Sequence, residues 1–294
     1  VSKLEACKGK VLVVEAYKPK DFRGDQIKKI NEVINFVKYS SDNPAGGVII
    51  LSYEKLTWFG TTFKGDKAVF TIKVEEGYEG INKVDLAIES KFIRNYKSQN
   101  VVGYLEGNVP DSCVVVVAHY DHLGMMGDST VFCGANDNAS GVALLLSLAK
   151  HYAVHKPKYS ILFIAFGGEE IGLVGSRYFV DNPLVPLSSI KFLLNFDLAG
   201  TGDDGIQVVN GSVYPKMFDK LVKLNQKHAL LKEVKVRGAA CNSDHCFFDK
   251  KGVPGFFIYT LGGISAYHDI FDVSATLPLT KFNQYAKLMR LFID

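Results

Sequence analysis

The sequence contains no apolar run approaching 18 residues, so no membrane-spanning helix is expected. It is also poor in cysteine. Cys7, Cys113, Cys133, Cys241 and Cys246 are too few and too irregularly spaced for a disulfide scaffold. Cys241 and Cys246 are near enough to pair across CNSDHC, although buried free thiols fit the same positions. An excess of one charge is lacking too. The 34 basic and 31 acidic residues leave a formal charge of only +3, which does not point to nucleic acid. There is no internal repeat and no low-complexity tract. The chain opens Val1-Ser2 with neither Met nor a signal-peptide pattern, so a preceding segment is expected to have been removed. Its 294 residues suffice for a sizeable core in one large domain or two unequal ones.

What the sequence does have is a concentration of ligand-type side chains after apolar strands. Residues 114–118, four valines and an alanine, are too short for a helix and read as a strand buried on both faces. His119 and Asp121 follow directly, on one side of an extended backbone. Asp137 comes next in the loop GANDNASG, ahead of a predicted helix VALLLSLAKHY. YSILFIAF is a second apolar strand, ending in GGEEIGLVGS with Glu169 and Glu170. IKFLLNFD is a third and ends in Asp197; VPGFFIYTLGG is a fourth, followed by AYHD with His268. Helices are predicted from Pro215 to His228 and over LTKFNQYAKLMRLFI. Strands alternating with helices predict an α/β fold with a mostly parallel central sheet and helices on both faces.

The N-terminal part reads differently. GKVLVVEA, the helix DQIKKINEVINFVKY and the strand VIILS form a small βαβ-like unit without a cluster of His, Cys or carboxylates. This predicts a small α+β accessory domain over 1–80 and a catalytic domain over 81–294, with the chemistry beyond Val101. KVDLAIESKFIRNY and SQNVVGYLEG alternate in polarity and are expected to form an antiparallel pair.

A His or a loop Asp alone is usually structural, but four strand ends in one sheet bring such residues to one edge, where ligands of open α/β sheets collect. Unpaired carboxylates seldom gather at a buried edge without a metal. Two His and three carboxylates suit zinc, and five ligands fit two ions if one carboxylate bridges. Of the adjacent Glu169 and Glu170, one can face the metal while its neighbour acts as general base. Asp121 is placed to accept the second N–H of His119 and fix its tautomer. His151, His155 and His228 read as surface residues, His245 as supporting or structural, and the spacing assigns no role to His122, Ser243 or Asp244.

Taken together, AHYDHLG, GANDNASG, GGEEIGLVGS, NFDLAG, SDHCFF and AYHD resemble the bacterial dizinc leucyl-aminopeptidase family. Its clan also holds glutamate carboxypeptidase, the transferrin receptor ectodomain and glutaminyl cyclase. The resemblance covers roughly residues 100–294 and implies a zinc exopeptidase fold of the phosphorylase/hydrolase-like kind. It implies two zinc ions, one held by His119 and Asp197, the other by Glu170 and His268, with Asp137 bridging. It further implies Glu169 as general base and Tyr267 as a stabiliser of the oxyanion. The expected activity is removal of N-terminal residues from peptides with a free amine. Carboxypeptidase and dipeptidase activities share the metal core, and a one-zinc glutaminyl cyclase or a non-catalytic ectodomain are the alternatives.

After the last His the family commonly has Thr-Pro and an acidic stretch, whereas this chain has DIFDVSATLPL. GKVLVV…AGGVIILS resembles the protease-associated domain inserted in many of these enzymes. Almost nothing precedes it here, which predicts that a piece of the catalytic domain is absent from this chain. The resemblance, the accessory domain and the missing start predict an exported enzyme, periplasmic or extracellular.

Overall fold

The computed structural model describes residues 5–15, 19–75 and 83–294. The chain forms two compact units, one of Val1–Thr57 with Thr61–Tyr96, the other of Trp58–Gly60 with Lys97–Asp294. The expected boundary at residue 80 lies outside the described residues; the division falls after Tyr96.

In the first unit, β1 (Val11–Glu15), β2 (Gly47–Ser52) and β3 (Ala68–Lys73) pair in parallel in that order, with α1 (Gly24–Tyr39) connecting the first two. Its core is small. Val37 of α1 packs with Val48 and Ile50, and Leu12, Val14, Ile34 and Val69 cover them. Val33, on the same helix, is largely exposed.

The second unit is built on seven strands. Those before the metal-type residues are β4 (Val101–Leu105) and β5 (Val109–His119). A short hairpin of β6 (Gly124–Met126) and β7 (Thr130–Phe132) lies outside the large sheet. There follow β8 (Tyr159–Phe166), β9 (Ile190–Asp197), β10 (Gly205–Val209), β11 (Val234–Val236) and β12 (Gly255–Leu261). Across the sheet the order is β11-β10-β12-β9-β5-β8-β4. The four central strands β12, β9, β5 and β8 are parallel, flanked by antiparallel pairings of β10 with β12 and β4 with β8.

The antiparallel pair expected from SQNVVGYLEG and the stretch before it is therefore corrected. Val101–Leu105 does form a strand, but its antiparallel partner is Leu162 and its neighbours in β8. Residues 83–96 contain no strand, and Ile88, Ile93 and Tyr96 are at least half exposed. Alternation describes the two surfaces a strand would have and does not supply a partner; β4 pairs with β8, and residues 83–96 pair with no strand.

The valine run shows why this sheet forms. Val114, Val116 and Ala118 point to one face, where α2 (Gly141–Tyr152) supplies Leu144 and Leu148, and where α4 (Pro215–His228) and α6 (Phe282–Ile293) also pack. Val115 and Val117 point to the other, against Phe179 of α3 (Val174–Asp181) and Phe248 of α5 (His245–Lys250). Each fully buried valine contributes about 1.5–3 kcal/mol relative to exposure. A strand apolar on both sides is stable only between two helical layers, and that places its carboxyl end at an inner edge of the sheet. Successive crossovers leave β5 on opposite sides, β8 on one and β9 on the other, so the edge above β5 is where a crevice opens.

Candidate metal centre

His119 is the last residue of β5 and Asp197 the last of β9; Glu169 and Glu170 follow β8, and His268 follows β12. Adjacency of the four parallel strands brings all of them together. Nε2 of His119 lies 3.3 Å from Asp137 Oδ1, 3.8 Å from Asp197 Oδ1 and 4.0 Å from Glu169 Oε2. Nε2 of His268 lies 3.3 Å from Asp137 Oδ2 and 3.0 Å from Glu170 Oε2. The two oxygens of Asp137 thus face different histidines.

Tautomers follow from the other ring nitrogens. His119 Nδ1 is 3.1 Å from the Asp121 carbonyl oxygen, and His268 Nδ1 is 2.8 Å from that of Trp58. A carbonyl only accepts, so Nδ1 carries the proton in each neutral ring and Nε2 presents a lone pair. Two lone pairs then confront carboxylate oxygens, acceptor against acceptor, and only protons or cations between them make that arrangement favourable. Burial opposes the charged imidazoles, yet Asp197, Asp137 and Glu169 hold His119 well above its usual range, and Asp137 and Glu170 raise His268 to about 9. Burial also pushes Glu169 up to about 9, with Asp197, Asp244 and Glu170 adding to the rise against His119. Burial raises Asp197 to about 6 and Asp244 to about 7.

The donor set passes the test for zinc. Bonds of about 2.0–2.2 Å in a tetrahedron put ligand atoms about 3.3–3.6 Å apart, and the His–carboxylate distances scatter around that value. His119, Asp137 and Asp197 could hold one ion; His268, Asp137 and Glu170 could hold another.

Supporting residues fix the ligands, and several were not apparent from spacing. The carboxylate of Asp121 does not accept the imidazole N–H as expected. It stands 3.9 Å from His119 Nδ1 and instead accepts the backbone N–H groups of Glu169 and Glu170, at 3.1 and 3.2 Å. The turn after β5 brings its carbonyl to the ring, so the carboxylate is free to anchor the neighbouring loop. His122 donates from Nδ1 to Glu170 Oε1 at 2.7 Å. Asp272, within the divergent DIFDVSATLPL stretch, accepts the backbone N–H groups of Asn136 and Asp137. Asn138 donates to Asp197 Oδ1, and Ser243 donates to Asp197 Oδ2. These two are the signal that NDN and NSD carried without revealing their targets. Gly134, with φ +64, permits the loop itself, since a Cβ there would stand 2.5 Å from the Asp137 carbonyl oxygen and from His122.

Trp58 is a finding no spacing argument could reach, because its contribution is a backbone carbonyl. It also corrects the expectation that the chemistry lies wholly beyond Val101. Phe59 packs edge-on against the His268 ring at 4.8 Å, and Gly60 comes so close to Ile171 that a Cβ would meet its Cγ2 at 2.7 Å. Tyr267 stacks on His268 at 3.9 Å, lines the same cavity, and is half exposed, its hydroxyl raised by burial and by the surrounding carboxylates. Cys241 and Cys246 form a disulfide that encloses Ser243.

Comparison with known proteins agrees with this architecture. The aminopeptidase YwaD of Bacillus subtilis is 32% identical over 199 residues, covering 62% of this chain and 42% of the relative. The chain therefore spans less than half the length of that protein. The structure of BSAP, a zinc aminopeptidase from Bacillus subtilis, superposes with a TM-score of 0.66 at 22% identity, over 98% of this chain and 70% of that one. A glutaminyl cyclase from an Acidobacteriales bacterium shares the fold over 66% of this chain and 72% of its own, with a TM-score of 0.57 at 24% identity. The sequence profile of peptidase family M28 matches residues 100–293, beginning at the first strand of the large sheet and ending in its last helix. On that match, which takes in every strand and loop bearing the metal-type residues, the chain belongs to peptidase family M28.

Proposed function

We propose that the protein is a zinc-dependent aminopeptidase that holds two zinc ions and removes N-terminal residues from peptides. The observation that carries the proposal is the pair of Asp137 oxygens, each 3.3 Å from the Nε2 of a different histidine. In this reading His119 and Asp197 hold one ion, Glu170 and His268 the other, and Asp137 joins them. Bound zinc supplies Lewis acidity toward the scissile carbonyl and toward water.

The remaining chemistry belongs to the protein. Glu169 is beside the cluster but outside the shortest contacts, 4.0 Å from His119 Nε2, as suits a base that must stay mobile toward water. In its ionised form, beside bound cations, it takes a proton from water and returns it to the departing amine. Asp121 holds Glu169 and Glu170 by their backbone amides and so keeps base and ligand apart. The Tyr267 hydroxyl is the donor toward the developing oxyanion. Carboxylates at the site accept hydrogen bonds from the substrate's free amine. We place the enzyme outside the cytosol, periplasmic or extracellular; the Cys241–Cys246 disulfide supports an oxidising compartment.

Metal analysis of chelator-free protein, together with hydrolysis of N-free and N-acetylated peptides, tests this. The expected outcome is two zinc ions per chain and cleavage of the free peptide alone. One zinc ion with release of ammonia from N-terminal glutamine would indicate the cyclase instead.

A further inference from the structure

The cavity over the metal cluster measures about 210 Å³. The metal-type residues form part of its wall. The rest includes Arg237, Asn242, Phe257 and Tyr259. Arg237 lies just beyond β11 and is fastened at both ends. Its backbone N–H donates to the Val208 carbonyl, and its Nη1 donates to the Tyr259 hydroxyl at 3.1 Å. Among the described residues its guanidinium pairs with no carboxylate. A guanidinium has five N–H donors in a planar fork suited to a carboxylate, and one is used here. Phe257 and Tyr259 pack together at 5.4 Å and give the same wall an apolar aromatic surface.

We propose that Arg237 binds a carboxylate of the substrate, so that the enzyme favours small peptides carrying a negative charge on or next to the first residue. Building on the aminopeptidase reading, this names the substrate class. The substrate amine goes to the carboxylates at the metal-type residues, the aliphatic stem lies on Phe257 and Tyr259, and the carboxylate meets the fork of Arg237. Two sources supply that group: the side chain of a first-position Glu or Asp, or the C-terminal carboxylate of a dipeptide.

Steady-state kinetics of the full chain with Arg237→Met and Arg237→Lys separate the sources. The probes are Glu-Ala-Ala amide against Leu-Ala-Ala amide, and Leu-Ala against Leu-Ala amide. For whichever carboxylate is bound, Arg237→Met lowers kcat/KM by about 10- to 100-fold, chiefly through KM, and Arg237→Lys restores part of it. The uncharged Leu peptides change less than about 3-fold. Calorimetric binding of free glutamate and leucine reads the same subsite without turnover, with glutamate binding more tightly only when Arg237 is present. Equal losses on all four probes overturn the inference; leucine bound as well as glutamate by the unaltered protein overturns the side-chain source and leaves the dipeptide carboxylate to stand or fall with the Leu-Ala pair. Absence of turnover alongside Arg237-dependent glutamate binding overturns the aminopeptidase reading and leaves this subsite standing.

Discussion

The two histidines of the metal centre are held in contrasting ways. His119 is the end of a strand buried between two helical layers, and the carbonyl that orients it is two residues away. His268 sits in a loop with a left-handed backbone, φ +51, and is oriented by a carbonyl from Trp58. Phe59 and Tyr267 border its ring, where His119 has the sheet itself. One half of the site is thus an extension of the core. The other half is assembled from separate stretches of chain and depends on their staying in contact. Asp137 is where the halves meet.

Breaking the junction has the largest effect. Asp137→Ala removes the charge both halves share, and turnover is expected to fall by on the order of 10³-fold or more. Zinc titration of the variant should show both ions weakened; normal affinity for both contradicts the bridging role. Next comes the pair of glutamates. Glu169→Gln should retain its zinc and fold while losing about 10²–10⁴ in kcat, with KM little changed. Glu170→Gln should release zinc from the His268 half. Metal content measured beside kinetics distinguishes them, and the opposite pattern means that the two glutamates have exchanged roles.

The smallest effect sharpens the contrast most. Gly60→Val puts a side chain against Ile171 and is expected to shift the neighbouring Trp58 carbonyl from His268. Loss of a group that orients a ligand histidine costs about 10–100-fold in metal affinity, here at one ion of two. Competition titration with a chromogenic chelator reads both affinities. Equal weakening of the two ions would show that the halves are not independently supported.

The same contrast explains what the sequence disclosed. Everything carried by an apolar strand was legible: the four valines, IKFLLNFD and VPGFFIYTLGG announce buried parallel strands, and the polar residues at their ends mark the edge where ligands gather. The closing helix, Phe282–Ile293, was legible from helical spacing in LTKFNQYAKLMRLFI. What escaped belongs to tertiary structure. Asp272 and the Trp58 carbonyl act through hydrogen bonds to residues more than a hundred positions away, and no local pattern encodes them. His122 and Asp121 lay in view, but their partners, Glu170 and the two glutamate amides, depend on how β8 sits beside β5. Residues 83–96 misled because alternation describes a strand's surfaces and is silent on whether the segment pairs with any edge.

The strand order also governs the time at which this protein becomes a sheet. β12 is synthesised after β9, β10 and β11, yet it lies between β9 and β10. Until residues 255–261 leave the ribosome, β9 has an open edge, and β10 and β11 have no strand joining them to the rest of the sheet. His268 follows that strand, so a nascent chain has no complete metal centre to close prematurely. The interval before β12 arrives is the period of greatest exposure to edge-to-edge aggregation. Slower translation across residues 200–255 would lengthen it, and the yield of soluble chain should fall accordingly.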